Sequence, residues 1–246
     1  MTIERVRMSV KGKIVLVSGA NRGIGAATVH ELLRAGAKKV YVGARRIESL
    51  PDFGDERAVP LQLDVTSDTS VEQAASIAGD TEVLINNAGT LAFTNFVTSS
   101  FEDLDGDMQT NYYGTLRVIR AFAPALIARG SGTIVNVVSI VGLVSAAPLG
   151  GYSASKAALH SLTQTLRGTL KSSGVDVLGV YPGPIETDLA KNVPLAKVTP
   201  EHAAKNIVEG IENGAAYIFP DPTALQIEHL WANDGRNLEA AMAGAE

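Results

Sequence analysis

The chain contains no cysteine, so disulfides, thiol catalysis and cysteine-ligated metal are excluded. It has no excess of positive charge. Lys and Arg number 21 against 26 Asp and Glu, a formal charge of −5, which argues against general nucleic-acid binding. No apolar stretch reaches the roughly eighteen residues of a membrane span. Met1 to Lys13 carries Glu4, Arg5, Arg7, Lys11 and Lys13 and lacks the apolar core of a signal segment. The expectation is a cytoplasmic protein that engages neither membrane nor nucleic acid. The four histidines, His30, His160, His202 and His229, are scattered without metal-ligand spacing, and no metal site is expected. Asp103, Asp105 and Asp107 alternate, but the Gly and Glu of a calcium loop are incomplete. Ser139 does not sit on a nucleophile elbow, because Val137 stands where that turn needs glycine. There is no internal repeat, low-complexity tract or linker.

What is present suits one open α/β domain. The chain has 246 residues, 46% of them hydrophobic, enough for a large core. Apolar, β-branched runs at Ile14–Val17, Lys39–Val42, Ala58–Leu63, Val83–Asn86, Thr133–Val138, Val175–Val180 and Ala216–Phe219 read as strands. Helical patterns lie between them at Gly23–Ala35, Ser70–Ala78, Phe101–Arg129, Tyr152–Ser172 and Pro200–Asn213. Near-continuous apolar strands imply a parallel sheet covered on both faces. The expectation is a single doubly wound domain over 1–246, with about seven strands and a helical tail from about 221 to 246. Ala190 to Thr199, with Pro194, breaks the pattern and reads as a mobile flap.

The most informative segment is Tyr152-Ser153-Ala154-Ser155-Lys156. Residues four apart share one face of a helix. A cation at ~4 Å supplies roughly 4 kcal/mol at an effective dielectric near 20. That is enough to lower a phenol pKa from ~10 by as much as ~3 units, at about 1.36 kcal/mol per unit. Such a phenol can work as a general acid or base near neutral pH. Ser139 lies thirteen residues upstream of Tyr152. Near the start of the chain, Ser18-Gly19-Ala20-Asn21-Arg22-Gly23-Ile24-Gly25 follows a strand pattern and opens a helix. Strand, glycine turn and helix is the setting in which glycines bind a dinucleotide pyrophosphate. Gly19 permits the tight turn, Gly23 lets backbone approach phosphate, and Gly25 lets helix and strand pack closely.

These glycines, Asn86-Asn87-Ala88-Gly89, Asn111, Ser139, Tyr152 with Lys156, and Pro182-Gly183-Pro184-Ile185-Glu186-Thr187 occur in one order and spacing. The set resembles the short-chain dehydrogenase/reductase family, in its shorter single-domain branch, from about Lys13 to Thr187. The resemblance implies a Rossmann fold and a reversible, NAD(P)-linked transfer of the pro-S hydride. It implies that Tyr152 is the acid, that Ser139 binds the reacting oxygen, and that Lys156 lowers the phenol pKa and binds the nicotinamide ribose. Asn111 would hold a proton-relay water; helix-interior filler is the other reading. Asn87, Ala88 and Gly89 would form a shelf beside the adenine ribose. Thr187 would bind the carboxamide, with the Ile185 backbone and Pro182-Gly183 beside it. Asp64-Val65 would meet the adenine, Asp64 through its amino edge; the alternative for Asp64 is a helix cap or turn.

Cofactor choice rests on two arginines. Strand two ends Val42-Gly43-Ala44-Arg45-Arg46. Ala44 stands where the family's NAD-selecting Asp would be. Arg45, with Arg22 in the glycine loop, suits a 2′-phosphate, because each guanidinium donates two hydrogen bonds. NADP is therefore expected over NAD, with solvated surface arginines as the alternative. Leu91, Phe93, Ile140, Val141, Leu143, Leu149, Ile185 and Leu189 flank the catalytic groups and favour a hydrophobic ketone or aldehyde; they equally suit ordinary core. Two other functions stay open: an idle nucleotide-binding regulator, and a reductase of a carrier-bound acyl chain. Many family members close with a strand and an Asp-Gly-Gly-like turn that packs in tetramers. Here Tyr217-Ile218-Phe219-Pro220-Asp221-Pro222 leads into helix instead. That favours a homodimer through Ala157, Ala158 and Leu162, unless this face packs on the sheet.

Overall fold

The computed structural model describes residues 8–193 and 195–242. Seven strands form one sheet: β1 (Ile14–Ser18), β2 (Lys39–Ala44), β3 (Ala58–Gln62), β4 (Val83–Asn86), β5 (Gly132–Val137), β6 (Val175–Val180) and β7 (Tyr217–Ile218). Their order is β3-β2-β1-β4-β5-β6-β7, and every neighbouring pair is parallel. The helices are α1 (Gly23–Arg34), α2 (Asp68–Ile77), α3 (Phe101–Asp107), α4 (Thr115–Arg129), α5 (Gly150–Thr169), α6 (Pro200–Glu212), α7 (Pro222–Asn233) and α8 (Gly235–Met242). This is the doubly wound Rossmann arrangement that the strand and helix patterns predict.

Successive strand residues feed opposite layers, because side chains alternate across a sheet. Val15 and Val17 of β1 join Val40, Ile85, Val135 and Val180 in a core with Val29 and Leu32 of α1 and Ile207 and Ile211 of α6. Leu16, between them, joins Leu84, Ile134 and Val177 in a second core with Val71 of α2 and Phe122 and Leu126 of α4. Burial on both faces is why the strands read as unbroken apolar runs.

Two expectations are corrected. The single helix predicted over 101–129 is interrupted: α3 passes into a π-helical turn, Met108–Gly114, before α4 begins. Such turns are single-turn insertions common at functional sites. Here Asn111 bonds the backbone of Thr90, and a Cβ on Gly114 would meet Val65 at 2.8 Å. The last strand is two residues, Tyr217–Ile218, because β6 pairs with it only at Gly179 and Val180. The expected tail is α7 and α8, and 243–246 lie outside the described residues. It packs on the domain: Ala224, Ile227 and Leu238 are buried with Val138, Ile140, Leu149 and Tyr152.

Among the described residues no helix is long and apolar enough to cross a membrane, and no group of three or more His, Asp or Glu could hold a metal ion.

Candidate active site

Strand order reverses between β1 and β4, which opens a crevice at the carboxyl ends of the strands. Gly19 follows β1 at φ +64, and a Cβ there would lie 2.7 Å from the Ala88 Cα. Gly23 has φ +54, and its Cβ would meet Thr187 at 2.9 Å. The loops after β1 and β4 are tied together. The Ser18 hydroxyl accepts the amides of Asn87 and Ala88 at 3.1 Å each. The Asn87 side chain donates to the carbonyls of Ser18 and Gly19 at 3.0 Å each.

Helix α1 begins without a side-chain cap. Ser67, Ser100, Thr199 and Asp221 cap α2, α3, α6 and α7. The first-turn N–H groups of α1 are thus left to an outside acceptor, the usual condition for an anion site. A side-chain-free cradle and an uncapped helix start fit a dinucleotide pyrophosphate, with Asn21 half-buried in the loop and Ile24 facing the cavity.

At the adenine end, Arg45 is exposed and has no ion-pair partner among the described residues. Arg22 is exposed but engaged: its Nη1 donates to Asp188 Oδ2 at 2.7 Å. Asp64 Oδ1 takes both the amide and the hydroxyl of Thr66, at 2.9 and 2.7 Å, so this oxygen makes the turn foreseen as the alternative. Burial opposes ionisation of Asp64, but those two bonds and the charge of Arg45 hold its carboxyl below the ordinary value. Val65 is core, packed under Gly114.

The proposed catalytic groups converge from three elements. Ser139 follows β5, Tyr152 and Lys156 lie in the first turns of α5, and Asn111 sits in the π-helical turn. Exposures of 8, 7, 4 and 0% show all four withdrawn from bulk water. Ser139 Oγ donates to Pro182 O at 3.4 Å and accepts Val141 N at 3.3 Å. Both contacts are long, which leaves the hydroxyl able to turn toward a ligand. Lys156 Nζ donates to Val137 O at 2.9 Å and lies 5.6 Å from the Tyr152 ring centre. Asn111 Oδ1 accepts Thr90 N, and its Nδ2 donates to Thr90 O and to Ser155 Oγ.

The expected lowering of the phenol pKa by Lys156 is not what this arrangement produces. Burial raises the Tyr152 pKa; the Ser139 hydroxyl pulls it back, and the charge of Asp107 adds to the rise. Burial brings Lys156 down from 10.5 to about 8, with Asp107 acting the other way. The ammonium is hydrogen-bonded to a backbone carbonyl, and the groups that shift the phenol are the surrounding burial, Ser139 and Asp107 rather than Lys156.

A cavity of about 260 Å³ runs past these groups. Its lining includes Ile24, Asn87 and Gly89, the proposed catalytic Ser139, Tyr152 and Lys156, and Gly183, Ile185 and Thr187. Leu91, Phe93, Leu149, Leu189, Leu195 and Met242 add apolar side chains to the lining. Ile140 and Val141 also line it, while Leu143 packs beside Val144 in the core.

Several participating residues carry no sequence signal of their own. Met242 reaches the cavity from the end of the tail. Asp221 caps α7 through Ala224 N and also accepts Gly183 N, at 2.9 and 2.7 Å. Asp107 and Thr90 bond each other beside Asn111. Only the alternating acids at 103–107 hinted at Asp107.

The profile of the short chain dehydrogenase family matches residues 13–197. The chain belongs to the short-chain dehydrogenase/reductase family. A short chain dehydrogenase from Burkholderia cenocepacia J2315, solved in complex with NADP, superposes with a TM-score of 0.90 at 38% identity, over 96% of this chain and 99% of that one. The ketoacyl reductase HetN of a Nostoc species is 33% identical over 83% of this chain and 77% of its own. The 3-oxoacyl-[acyl-carrier-protein] reductase FabG of Vibrio cholerae is 32% identical over 75% and 78%. Membership makes this short-chain dehydrogenase/reductase an oxidoreductase, and a solved neighbour with bound NADP supports a nucleotide cofactor.

Proposed function

We propose that this protein reversibly reduces a hydrophobic ketone or aldehyde to the alcohol, with NADPH preferred over NADH. The observation that carries the reading is one cavity whose lining brings together Ile24 of the glycine-loop segment, Ser139, Tyr152 and Lys156, and a set of apolar side chains. A bound nicotinamide dinucleotide supplies the hydride in reduction and accepts it in oxidation. The chain's own residues do the rest. Gly19, Gly23 and Gly25 admit the pyrophosphate to the start of α1, and Thr187 and the Ile185 backbone hold the carboxamide. Arg45 and Arg22 meet the 2′-phosphate, which is the basis of the preference.

As the carbonyl oxygen gains negative charge, Tyr152 gives it a proton and Ser139 donates a hydrogen bond. The same phenolate accepts the alcohol proton in the reverse direction. Lys156 binds the nicotinamide ribose and brings a positive charge beside the reacting oxygen. Asn111 shapes the path by which the proton is replaced. The apolar lining and the flap, 190–199, exclude water. Part of this flap is anchored: Glu186 N donates to Val198 O at 2.9 Å, and Lys197 Nζ to Val193 O at 2.7 Å. Pro194 lies outside the described residues.

A panel of hydrophobic ketones, aldehydes and alcohols, assayed with each cofactor by nicotinamide absorbance, tests this reading. Turnover confined to NADPH and apolar carbonyls is expected. Binding of cofactor without turnover of any of them would favour the idle regulator.

The ketoacyl reductases among the relatives favour a second reading, reduction of an acyl chain bound to a carrier. A ketoacyl thioester in the same panel, free and carrier-bound, distinguishes the two. A large preference for the carrier-bound form would establish the second. A homodimer through the α5 face of Ala157, Ala158 and Leu162 is part of the proposal and is checked by light scattering.

A further inference from the structure

Asp107 is 2% exposed and belongs to no role assigned above. It is the last residue of α3, one turn before Asn111. Its Oδ1 accepts the Thr90 hydroxyl at 2.7 Å, and its Oδ2 accepts the Ala92 amide at 3.1 Å. Asn111 holds both backbone groups of Thr90. Two side chains of the interrupted helix therefore fix the segment that begins at Gly89 and supplies Leu91 and Phe93 to the cavity wall.

The charges of this site are unusual. Burying a carboxylate is costly unless a cation compensates it, yet both donors to Asp107 are neutral. Lys156 is a buried cation whose hydrogen bond goes to a neutral carbonyl. Neither has an ion-pair partner within 4 Å among the described residues. The groups facing Lys156 are Tyr152 from its own helix, Ser139 after β5, Asn111 from the π-helical turn, and the loop of Asn87 and Gly89. All are uncharged at neutral pH. Of the acids at the rim, Asp188 is held by Arg22, and Asp221 is held by the amides of Gly183 and Ala224. Asp107 is joined to this side of the site by contacts: it binds the Thr90 hydroxyl, Asn111 binds the Thr90 backbone, and a Cβ on the adjoining Gly89 would lie 3.0 Å from Asn111 Oδ1 and 3.6 Å from Lys156 Nζ. The direction of the Asp107 charge effect on Lys156 and Tyr152 agrees with that placement.

We propose that Asp107 is a positioning residue of the reaction: its buried carboxylate clamps the Thr90–Ala92 wall and supplies the negative charge that keeps the Lys156 ammonium in the site. The inference rests on the catalytic reading of Lys156 given above.

The sign of the effect follows. Without the negative charge, Lys156 gives up its proton at lower pH, and so does the phenol. Reduction needs both protonated, so the basic limb of kcat/KM moves down in pH.

The test compares the wild type with Asp107→Asn, which keeps the shape and removes the charge, and with Asp107→Ser as a second neutral variant. Lysine side-chain NMR, assigned with Lys156→Arg, reads the Lys156 midpoint without any substrate. About 8 is expected in the wild type. A midpoint roughly one unit lower is expected in the neutral variants, the scale of one charge acting at short range in a partly polar medium. The basic limb of kcat/KM for carbonyl reduction should move by the same amount, and Asp107→Glu should restore it. Thr90→Val, which breaks the clamp but leaves the charge, should raise KM with the limb in place. A Lys156 midpoint unchanged in the neutral variants overturns the proposal, even if they lose thermal stability. If neither neutral variant folds, the wild-type midpoint decides: a value well below 7 means that no anion supports the ammonium, and overturns it. Failure of the wild type to reduce any carbonyl would count against the catalytic reading, whereas the NMR comparison stands apart from it.

Discussion

Arg22 of the glycine loop and Asp188 at the base of the flap are joined by a hydrogen-bonded ion pair of 2.7 Å. Both side chains are about two-thirds exposed, so the pair contributes at most about 1 kcal/mol. A 2′-phosphate with its greater charge can draw Arg22 away. The pair therefore links the group proposed to sense the cofactor with the segment proposed to cover the substrate.

Cofactor preference follows from these charges. Each charge-assisted contact is worth roughly 1.5–3 kcal/mol. The wild type should favour NADPH over NADH by at least about tenfold in kcat/KM, one decade per ~1.4 kcal/mol. Arg45→Ala should raise KM for NADPH and leave NADH nearly unchanged. Asp188→Asn frees Arg22 and should lower KM for NADPH by a few-fold, on the scale of a surface ion pair. Equal changes with both cofactors would assign these residues to structure alone.

Tyr152→Phe keeps the buried ring and removes the proposed proton donor. The kcat should fall by at least ~10²-fold, the scale of positioned acid catalysis. Cofactor affinity, measured by fluorescence titration, should hold, because the loops of Gly19 and Asn87 are untouched. Turnover near that of the wild type would eliminate Tyr152 as the acid.

Lys156 gives a stability that depends on pH. Its folded-state pKa, about 8, lies below the ordinary 10.5. Between these values the unfolded chain binds more protons, so stability rises with pH. Below about 8 both states are protonated and the cost of the buried charge is fully present. Lys156→Met should therefore be more stable than the wild type at neutral pH, by about 1–3 kcal/mol after loss of the bond to Val137 O. The gap should close as pH approaches 10.5, measured by chemical denaturation. A mutant less stable than the wild type at every pH would refute the account.

The flap should order on binding. Leu189 and Leu195 line the cavity but are 38 and 55% exposed, an arrangement that a bound apolar substrate would change. Hydrogen exchange from Asp188 to Thr199 should slow with NADP and slow further with a substrate analogue. Equal exchange with and without ligands would mean a fixed loop. Specificity would then fall to the preformed wall, where Met242→Ala should admit bulkier carbonyls.

The sequence by itself determined the layering of the fold. Val15, Leu16 and Val17 alternate between two cores, so burial on both sheet faces wrote an apolar run that can be read directly. Gly19 and Gly23 were legible for a similar reason: their positive φ and close neighbours leave no room for a side chain. Tyr152 and Lys156 were legible because one helix face fixes their spacing. Tertiary structure decided what lies far apart in sequence. The break at Asn111 depends on Thr90, twenty-one residues away. The seat of α7 depends on one carboxylate, Asp221, serving both its own helix and Gly183. The balance of charge around Lys156 is tertiary as well. Its spacing to Tyr152 predicted a lowered phenol pKa, but burial and Asp107 reversed the direction, because desolvation and field depend on what folds around a group rather than on its neighbours along the chain.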